Sequence, residues 1–274
     1  MSVFNSPLLI TSAPNGAYKQ RLHHHALPLT PSELASTAKE CLDAGAAMVH
    51  LHIRTADGRH SLDPAVYLDA TAQVRQAVGT AMVIQITSEA AQVYQPAEQI
   101  AAVQAVKPEA VSIGLREIDT PSTGEHGLAA FFGWLARERV MTQVILYDTA
   151  DLRRWQELRI RGVVPDAPWS LLFVLGRYSA GQTSSPHDLL PFVQLHTGPE
   201  PWSMCAFGPA EHACATLAAT LGGHARVGFE NNLYLNNGSV APSNAALVHQ
   251  VAATAATLNR PLATADQVRG WYGH

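Results

Sequence analysis

Nowhere in this chain of 274 residues does an apolar run approach the ~20 residues that a membrane span requires. Basic residues are not in excess either. Eighteen Lys and Arg face 22 Asp and Glu, a formal charge of −4, whereas a nucleic-acid surface wants a basic patch. Cysteine is scarce: Cys41, Cys205 and Cys214 lie on unrelated segments without metal-type spacing. So odd and sparse a set suits reduced thiols acting as small core hydrophobes. The opening MSVFNSPLLITSAPNG lacks the charged n-region and cleavage site of a signal peptide, so a cytoplasmic protein is expected. There is also no low-complexity linker and no Gly-rich loop of the kind that cradles phosphates. Membrane and nucleic acid fall away as partners, which leaves small molecules.

What the chain does have is a regular alternation. With 47% hydrophobic residues it can bury a large core. Short apolar runs recur at 7–13, 46–53, 81–87, 109–115, 143–148, 169–176, 202–208 and 225–230. Segments of helical spacing lie between and after them, at 64–78, 96–106, 126–138, 151–161, 186–195, 211–221 and 242–257. The clearest helix is TPSELASTAKECLDAG, with Thr30 as N-cap, Pro31 at the first helical position, Glu33 completing a capping box and Gly45 at the stop. About eight strand–helix alternations in a chain of this length predict an α/β fold, a (β/α)8 TIM barrel forming one domain over residues 1–274. A doubly wound open sheet is the alternative, because periodicity does not reveal closure.

The second run ends in MVHLHIR, which places His50 and His52 two residues apart. On a strand alternate side chains share a face, so both imidazoles point one way while Val49, Leu51 and Ile53 point the other. A shared metal ion would explain the pair, and two hydrogen-bonded histidines at a strand end would too. In a barrel the functional groups sit where strands give way to βα loops, and Glu230 closes the eighth run, RVGFE. Two imidazoles and a carboxylate make a catalytic zinc set with positions left open. His224 reads as a loop or supporting histidine rather than a fourth ligand. His23, His24 and His25 read as a loop.

Several stretches carry a resemblance: TSAPNGA (11–17), LPLTPSELA (27–35), AGAAMVHLHIR (44–54), QIT (85–87), FVLG (173–176), GGHARVGFENNLY (222–234), SNAALV (243–248) and NRPLAT (259–264). In order and spacing the chain resembles the β-keto acid cleavage enzymes, the family that includes 3-keto-5-aminohexanoate cleavage enzyme. The resemblance implies a zinc-dependent (β/α)8 barrel, a homotetramer, with Zn²⁺ on His50, His52 and Glu230. It places a substrate-binding arginine at Arg226 and a hydroxyl at Thr87; Asn231 and Arg116, which this chain carries on the same face, are further candidate substrate contacts. The implied partners are a β-keto acid and acetyl-CoA, which would yield acetoacetate and an acyl-CoA. Arg226 would offer a fixed cationic fork to developing negative charge; its plainer role would be an ion pair at the rim.

The chain departs from that pattern where acids are expected. Tyr18, Gln143 and Asn231 stand in their places, and neutral amides and a phenol cannot serve as the same base near pH 7. Glu89 and Glu117 appear instead on the same face, as candidates for acid–base work. The competing expectation is structural pairing: Glu117 with Arg116 or Arg54, and Glu89 with a loop lysine or arginine. Three readings follow. One is acyl exchange with acetyl-CoA. Another is a zinc-dependent lyase or hydrolase acting on a small anion without CoA. The third is a binding protein that keeps zinc and has lost its base.

Overall fold

The computed structural model describes residues 6–273. In chain order its elements are β1 (Ile10–Ser12), α1 (Pro31–Asp43), β2 (Met48–Leu51), β3 (Ile53–Arg54), β4 (His60–Ser61), α2 (Pro64–Val78), β5 (Val83–Thr87), α3 (Pro96–Val106), β6 (Ala110–Gly114), α4 (Leu115–Ile118), α5 (Gly124–Arg137), β7 (Met141–Leu146), α6 (Thr149–Ile160), β8 (Ser170–Leu175), α7 (Leu190–Leu195), β9 (Trp202–Ala206), α8 (Glu211–Thr220), β10 (His224–Val227), α9 (Asn244–Thr257) and α10 (Ala265–Trp271). Eight strands close in the order β1-β10-β9-β8-β7-β6-β5-β2, which makes the fold a barrel and rules out the open sheet. Neighbours in the ring run parallel, for example His50 beside Gln85 and Ile10 beside Ala225.

Strand alternation sorts the side chains. Val49, Leu51, Ile84, Ile86, Val111 and Ile113 point outward into the layer shared with the helices, where they meet Leu34, Ala38 and Tyr67. Burying each such large side chain contributes about 1.5–3 kcal/mol. The other face points into the barrel. There Leu9, Met48, Val83, Ala110 and Met141 pack the floor, so the barrel is plugged at that end and its polar residues gather towards the other. Three helices begin on prolines, Pro31, Pro64 and Pro96, where the missing N–H costs nothing. The capping box of α1 forms: Thr30 Oγ1 accepts the Glu33 N–H and the Glu33 carboxylate accepts the Thr30 N–H at 3.1 Å. Among the described residues no helix is long and apolar enough to cross a membrane.

The structure corrects several boundaries. The second barrel strand stops at Leu51, short of residue 53. The reason is a side chain: the Asn15 amide donates to the His52 carbonyl at 2.8 Å and accepts the His52 N–H at 3.4 Å, taking the place of a neighbouring strand. Ile53–Arg54 then pairs with His60–Ser61 as a separate hairpin. The last strand ends at Val227, three residues before Glu230, because Gly228 at φ +148° lies so close to the Ala13 carbonyl that a Cβ would sit 2.3 Å from it. Helices α4 and α10 add to those the sequence pattern predicts, and the helix expected at 186–195 divides into a 3-10 turn, Pro186–Leu189, followed by α7.

Candidate functional site

The end of the barrel opposite the apolar floor gathers His50, His52 and Glu230. His50 Nε2 lies 3.1 Å from His52 Nε2, and each imidazole nitrogen lies 3.6 Å from one Glu230 oxygen. His50 Nδ1 faces Gln85 Oε1 at 2.8 Å. With the amide so oriented that nitrogen carries the proton, which leaves a lone pair on Nε2, the arrangement typical of a metal-ligating imidazole. Burial, followed by the Arg226 charge, holds the His50 pKa well below the ordinary imidazole value, so the ring is neutral. Burial would raise the Glu230 pKa, but Arg226, then His52 and His50, outweigh it and hold the carboxyl well below its usual range. These are the protonation states that a cation requires of its ligands.

The residues fit a metal ion on two counts. Donor atoms about 2.1 Å from a tetrahedral ion stand about 3.4 Å apart, close to the 3.1 and 3.6 Å separations here. Secondly, Glu230 Oε2 is buried with no hydrogen-bond donor among the described residues, and His52 Nδ1 is also unpartnered. A histidine–histidine hydrogen bond alone would leave that carboxylate oxygen unsatisfied, which is costly in a dry site.

The loop that carries Glu230 is braced from several elements. Glu230 N donates to Ala13 O, and Lys19 Nζ donates to the Glu230 carbonyl at 2.7 Å. Phe229 N donates to Asn244 Oδ1. Glu211, fully buried on α8, accepts from Gly228 N and from the Asn232 side chain, both at 3.2 Å. Burial pushes the Glu211 pKa up to about 8 against those donors. Arg54 fixes the facing loop by donating to the carbonyls of Gly16, Lys19 and Gly58.

Arg226 reaches the cluster from β10. Its Nη2 donates to Glu230 Oε1 at 2.8 Å, while its Nε and Nη1, also buried, have no partner among the described residues. Thr87 Oγ1 accepts the Glu89 N–H at 3.0 Å and so sets the turn after β5. Glu89 Oε2 then lies 3.8 Å from His52 Nε2, and Glu89 Oε1 lies 3.3 Å from Arg177 Nη2. Glu117 Oε2 accepts from Ala90 N at 2.9 Å and from Gln99 Nε2 at 2.8 Å. Burial, joined by the Glu89 charge, lifts the Glu117 pKa to about 7 despite these donors.

His50, Thr87, Glu89, Glu117, Arg226 and Glu230 border one inner cleft. It shares Glu89, Arg177, Phe207 and Glu230 with a mouth cavity of about 230 Å³ that is also lined by Tyr18 and Lys19. Two expected substrate contacts stand outside it. Arg116 is held by Asp148 at 2.6 Å and Asp151 at 2.7 Å and lies over the Tyr147 ring. Asn231 is buried beneath, with Nδ2 3.4 Å from the Arg226 carbonyl. The expected pairing of Glu117 with Arg116 or Arg54 does not form, because α4 turns Arg116 towards α6 and Arg54 is spent on carbonyls. Glu89 does meet a loop arginine, Arg177. His224 lies at the far end of the barrel, accepting the Leu9 N–H and stacked on Trp271. His24 is bonded to the Ala241 carbonyl, and His23 lines the mouth.

Asn15, Lys19, Gln85, Arg177 and Glu211 are not candidates on the sequence alone. Gln85 alone had a readable signal, since it sits mid-strand among apolar residues immediately before the Ile86-Thr87 end of that strand.

The family model for beta-keto acid cleavage enzyme matches residues 7–273. The chain is 29% identical to a 3-keto-5-aminohexanoate cleavage enzyme of Acetoanaerobium sticklandii, covering 96% of each chain. It is 26% identical to a 3-oxoadipate:acetyl-CoA acetyltransferase of Cupriavidus necator, over 97% of this chain and 95% of that one. Among solved structures, the complex of ObcA with oxaloacetate superposes with a TM-score of 0.72 at 19% identity, covering 90% of this chain and 67% of the other, a likeness of fold.

Proposed function

This chain belongs to the beta-keto acid cleavage enzyme family, and from that premise we propose that it exchanges acyl groups between a β-keto acid and acetyl-CoA. In R–CO–CH₂–COO⁻ plus CH₃–CO–SCoA, the CH₂–COO⁻ unit moves from the R–CO carbon to the acetyl carbon. The CoA sulfur takes its place on R–CO, and the products are acetoacetate and R–CO–SCoA. The observation that carries this reading is the meeting of His50, His52 and Glu230 with the unpartnered donors of Arg226 at one barrel end.

His50, His52 and Glu230 would hold a divalent ion, and two imidazoles with one carboxylate suit zinc. When bound, the ion supplies Lewis-acid stabilisation of negative charge on ketone and carboxylate oxygens. The unpartnered Nε and Nη1 of Arg226 donate to the substrate carboxylate and to the oxygen where charge develops. Glu117, its pKa raised to about 7, takes the proton from the CH₂ group and returns it to the same carbon once the bond to R–CO has broken. Glu89, paired with Arg177, balances charge beside His52, or exchanges roles with Glu117. The Thr87 hydroxyl, whose oxygen already accepts from Glu89 N, has its proton free to donate to substrate. The same reading makes the protein a cytoplasmic homotetramer, whose assembly sedimentation would measure.

The test incubates purified protein with acetyl-CoA and a panel of β-keto acids and follows acetoacetate by mass spectrometry. Acetoacetate is expected only with acetyl-CoA and is lost on chelation. The His52→Ala variant should lose bound zinc, and with it turnover, while its circular dichroism stays unchanged. Cleavage that ignores acetyl-CoA would sink the acyl-exchange reading in favour of a CoA-free lyase or hydrolase. Full metal content in His52→Ala would overturn the ligand set.

A further inference from the structure

Beside the His50, His52 and Glu230 cluster stands an imidazole that the chemistry above does not use. His60 pairs with Arg54 across the β3–β4 hairpin, which makes it the diagonal neighbour of His52. The two rings have centroids 5.3 Å apart and an interplanar angle of 53°. His60 Nε2 faces the Glu89 carbonyl at 2.8 Å. A carbonyl only accepts, so that nitrogen carries a proton. The ring is 8% exposed, lies edge-on to Tyr94 and forms no ion pair among the described residues. A second proton would bury an unpaired cation next to Arg54, which is costly. His60 is therefore neutral, and its Nδ1 is an acceptor.

Two ring nitrogens here are buried without a partner among the described residues, His52 Nδ1 and His60 Nδ1. They are complementary. When His52 Nε2 holds a metal ion its proton sits on Nδ1, and a ligating imidazole donates that N–H to an outer partner. The other His52 tautomer would donate Nε2–H to His50 Nε2, 3.1 Å away. It would leave both Nδ1 atoms as buried acceptors with no proton between them. We infer that His60 is a positioning residue for the metal site. Its Nδ1 accepts the His52 Nδ1–H, directly or through one bridging water, and so keeps the His52 Nε2 lone pair free for the ion. This rests on the metal reading above and adds to it the residue that orients His52. Because the other His60 nitrogen donates to the Glu89 carbonyl, the same ring ties the ligand to the turn that carries Glu89.

The test measures zinc affinity of the full chain by chelator competition, in two variants that divide the His60 ring between them. An asparagine oxygen falls where Nδ1 stood but does not reach Glu89. A glutamine nitrogen falls where Nε2 stood and keeps the Glu89 contact, without the Nδ1 acceptor. His60→Gln should lower zinc affinity about 10–100-fold, and His60→Asn should hold it within about threefold of the parent. Equal affinities in the two variants overturn the inference. So does the reverse order, which would mean that His60 acts only through the Glu89 turn. Heteronuclear NMR of ring-labelled histidine in the metal-free parent decides the point without any variant. A His52 proton on Nδ1 supports the pair, and one on Nε2 overturns it. A parent that binds no zinc overturns the metal reading itself, and the ring-nitrogen spectrum then still tells whether the two imidazoles are paired.

Discussion

Two buried arginines, one at each end of the barrel, are treated in opposite ways. Arg260, 2% exposed, lies at the floor and donates from all three nitrogens to the carbonyls of Ser6, Pro7, Ala219, Gly222 and Gly223. Arg226, 3% exposed, lies at the mouth and has one nitrogen bonded and two without partners. Nearby at the floor, both oxygens of Glu109 are taken by Arg75, Arg269 and Ile84 N. At the mouth Glu230 keeps one oxygen unpaired. A buried polar group left unsatisfied is a standing cost in the folded chain. The floor avoids that cost and so holds the structure together, whereas the mouth tolerates it where a ligand would be bound.

This contrast can be tested in order of effect. The largest change is expected from Glu117→Gln, which should lower turnover by about 10²–10⁴-fold if Glu117 is the base. In the parent, kcat/KM should fall as pH drops through about 7, because a base must be unprotonated and the Glu117 pKa is raised to that value. The variant should lose that limb of the profile. If Glu89→Gln removes it instead, the two acids exchange roles, and if neither variant loses activity the base is not a carboxylate of this cleft. Next in size, Arg226→Lys should lower kcat by about 10²–10³-fold with Tm nearly unchanged, since charge is kept and only the fork is lost. Wild-type turnover in that variant would mean Arg226 is structural like Arg260.

The floor should respond the other way. Arg260→Ala strands several carbonyls and should cost about 2–4 kcal/mol of stability, read by denaturant unfolding, with metal content intact. The smallest effect is expected from Glu211→Gln, which keeps shape but replaces one acceptor oxygen with an amide. Zinc affinity, measured by chelator competition, should fall about tenfold, as for other residues that orient a ligand from behind. If affinity holds while stability drops, Glu211 supports the fold alone.

How far the sequence reveals this site depends on distance along the chain. His50 and His52 are legible because two residues on one strand share a face. Glu230 and Arg226 are legible because their stretch resembles a known family. The hydrophobic rhythm likewise gives the barrel, down to the capping box at Thr30. The supports are a different matter. Lys19 meets the Glu230 carbonyl, and Asn15 completes the backbone pairing of His52. Both arise from loops that only the closed barrel brings together, and local pattern carries no trace of them. Glu117 shows the same limit, since its neighbours Ala90 and Gln99 come from the preceding strand–helix unit. Arg116 misleads for a related reason: adjacency in sequence suggests a pair with Glu117, while a single helical turn sends the two side chains to different partners.

The contact between β1 and β10 also fixes when the site can come into being. Ile10 pairs with Ala225, and Ala13 both donates to the Val227 carbonyl and accepts from Glu230 N, so Glu230, the third of the proposed ligands, arrives only as the last strand docks against the first. Contacts of such long sequence separation form late, after the entropy of closing the intervening chain has been met. On the ribosome, His50 and His52 emerge long before Glu230, so the proposed ligand set is incomplete until the final quarter of the chain is made. Full-affinity metal capture should therefore act as a timer for barrel closure, rising with docking of the last strand rather than with the earlier appearance of helix.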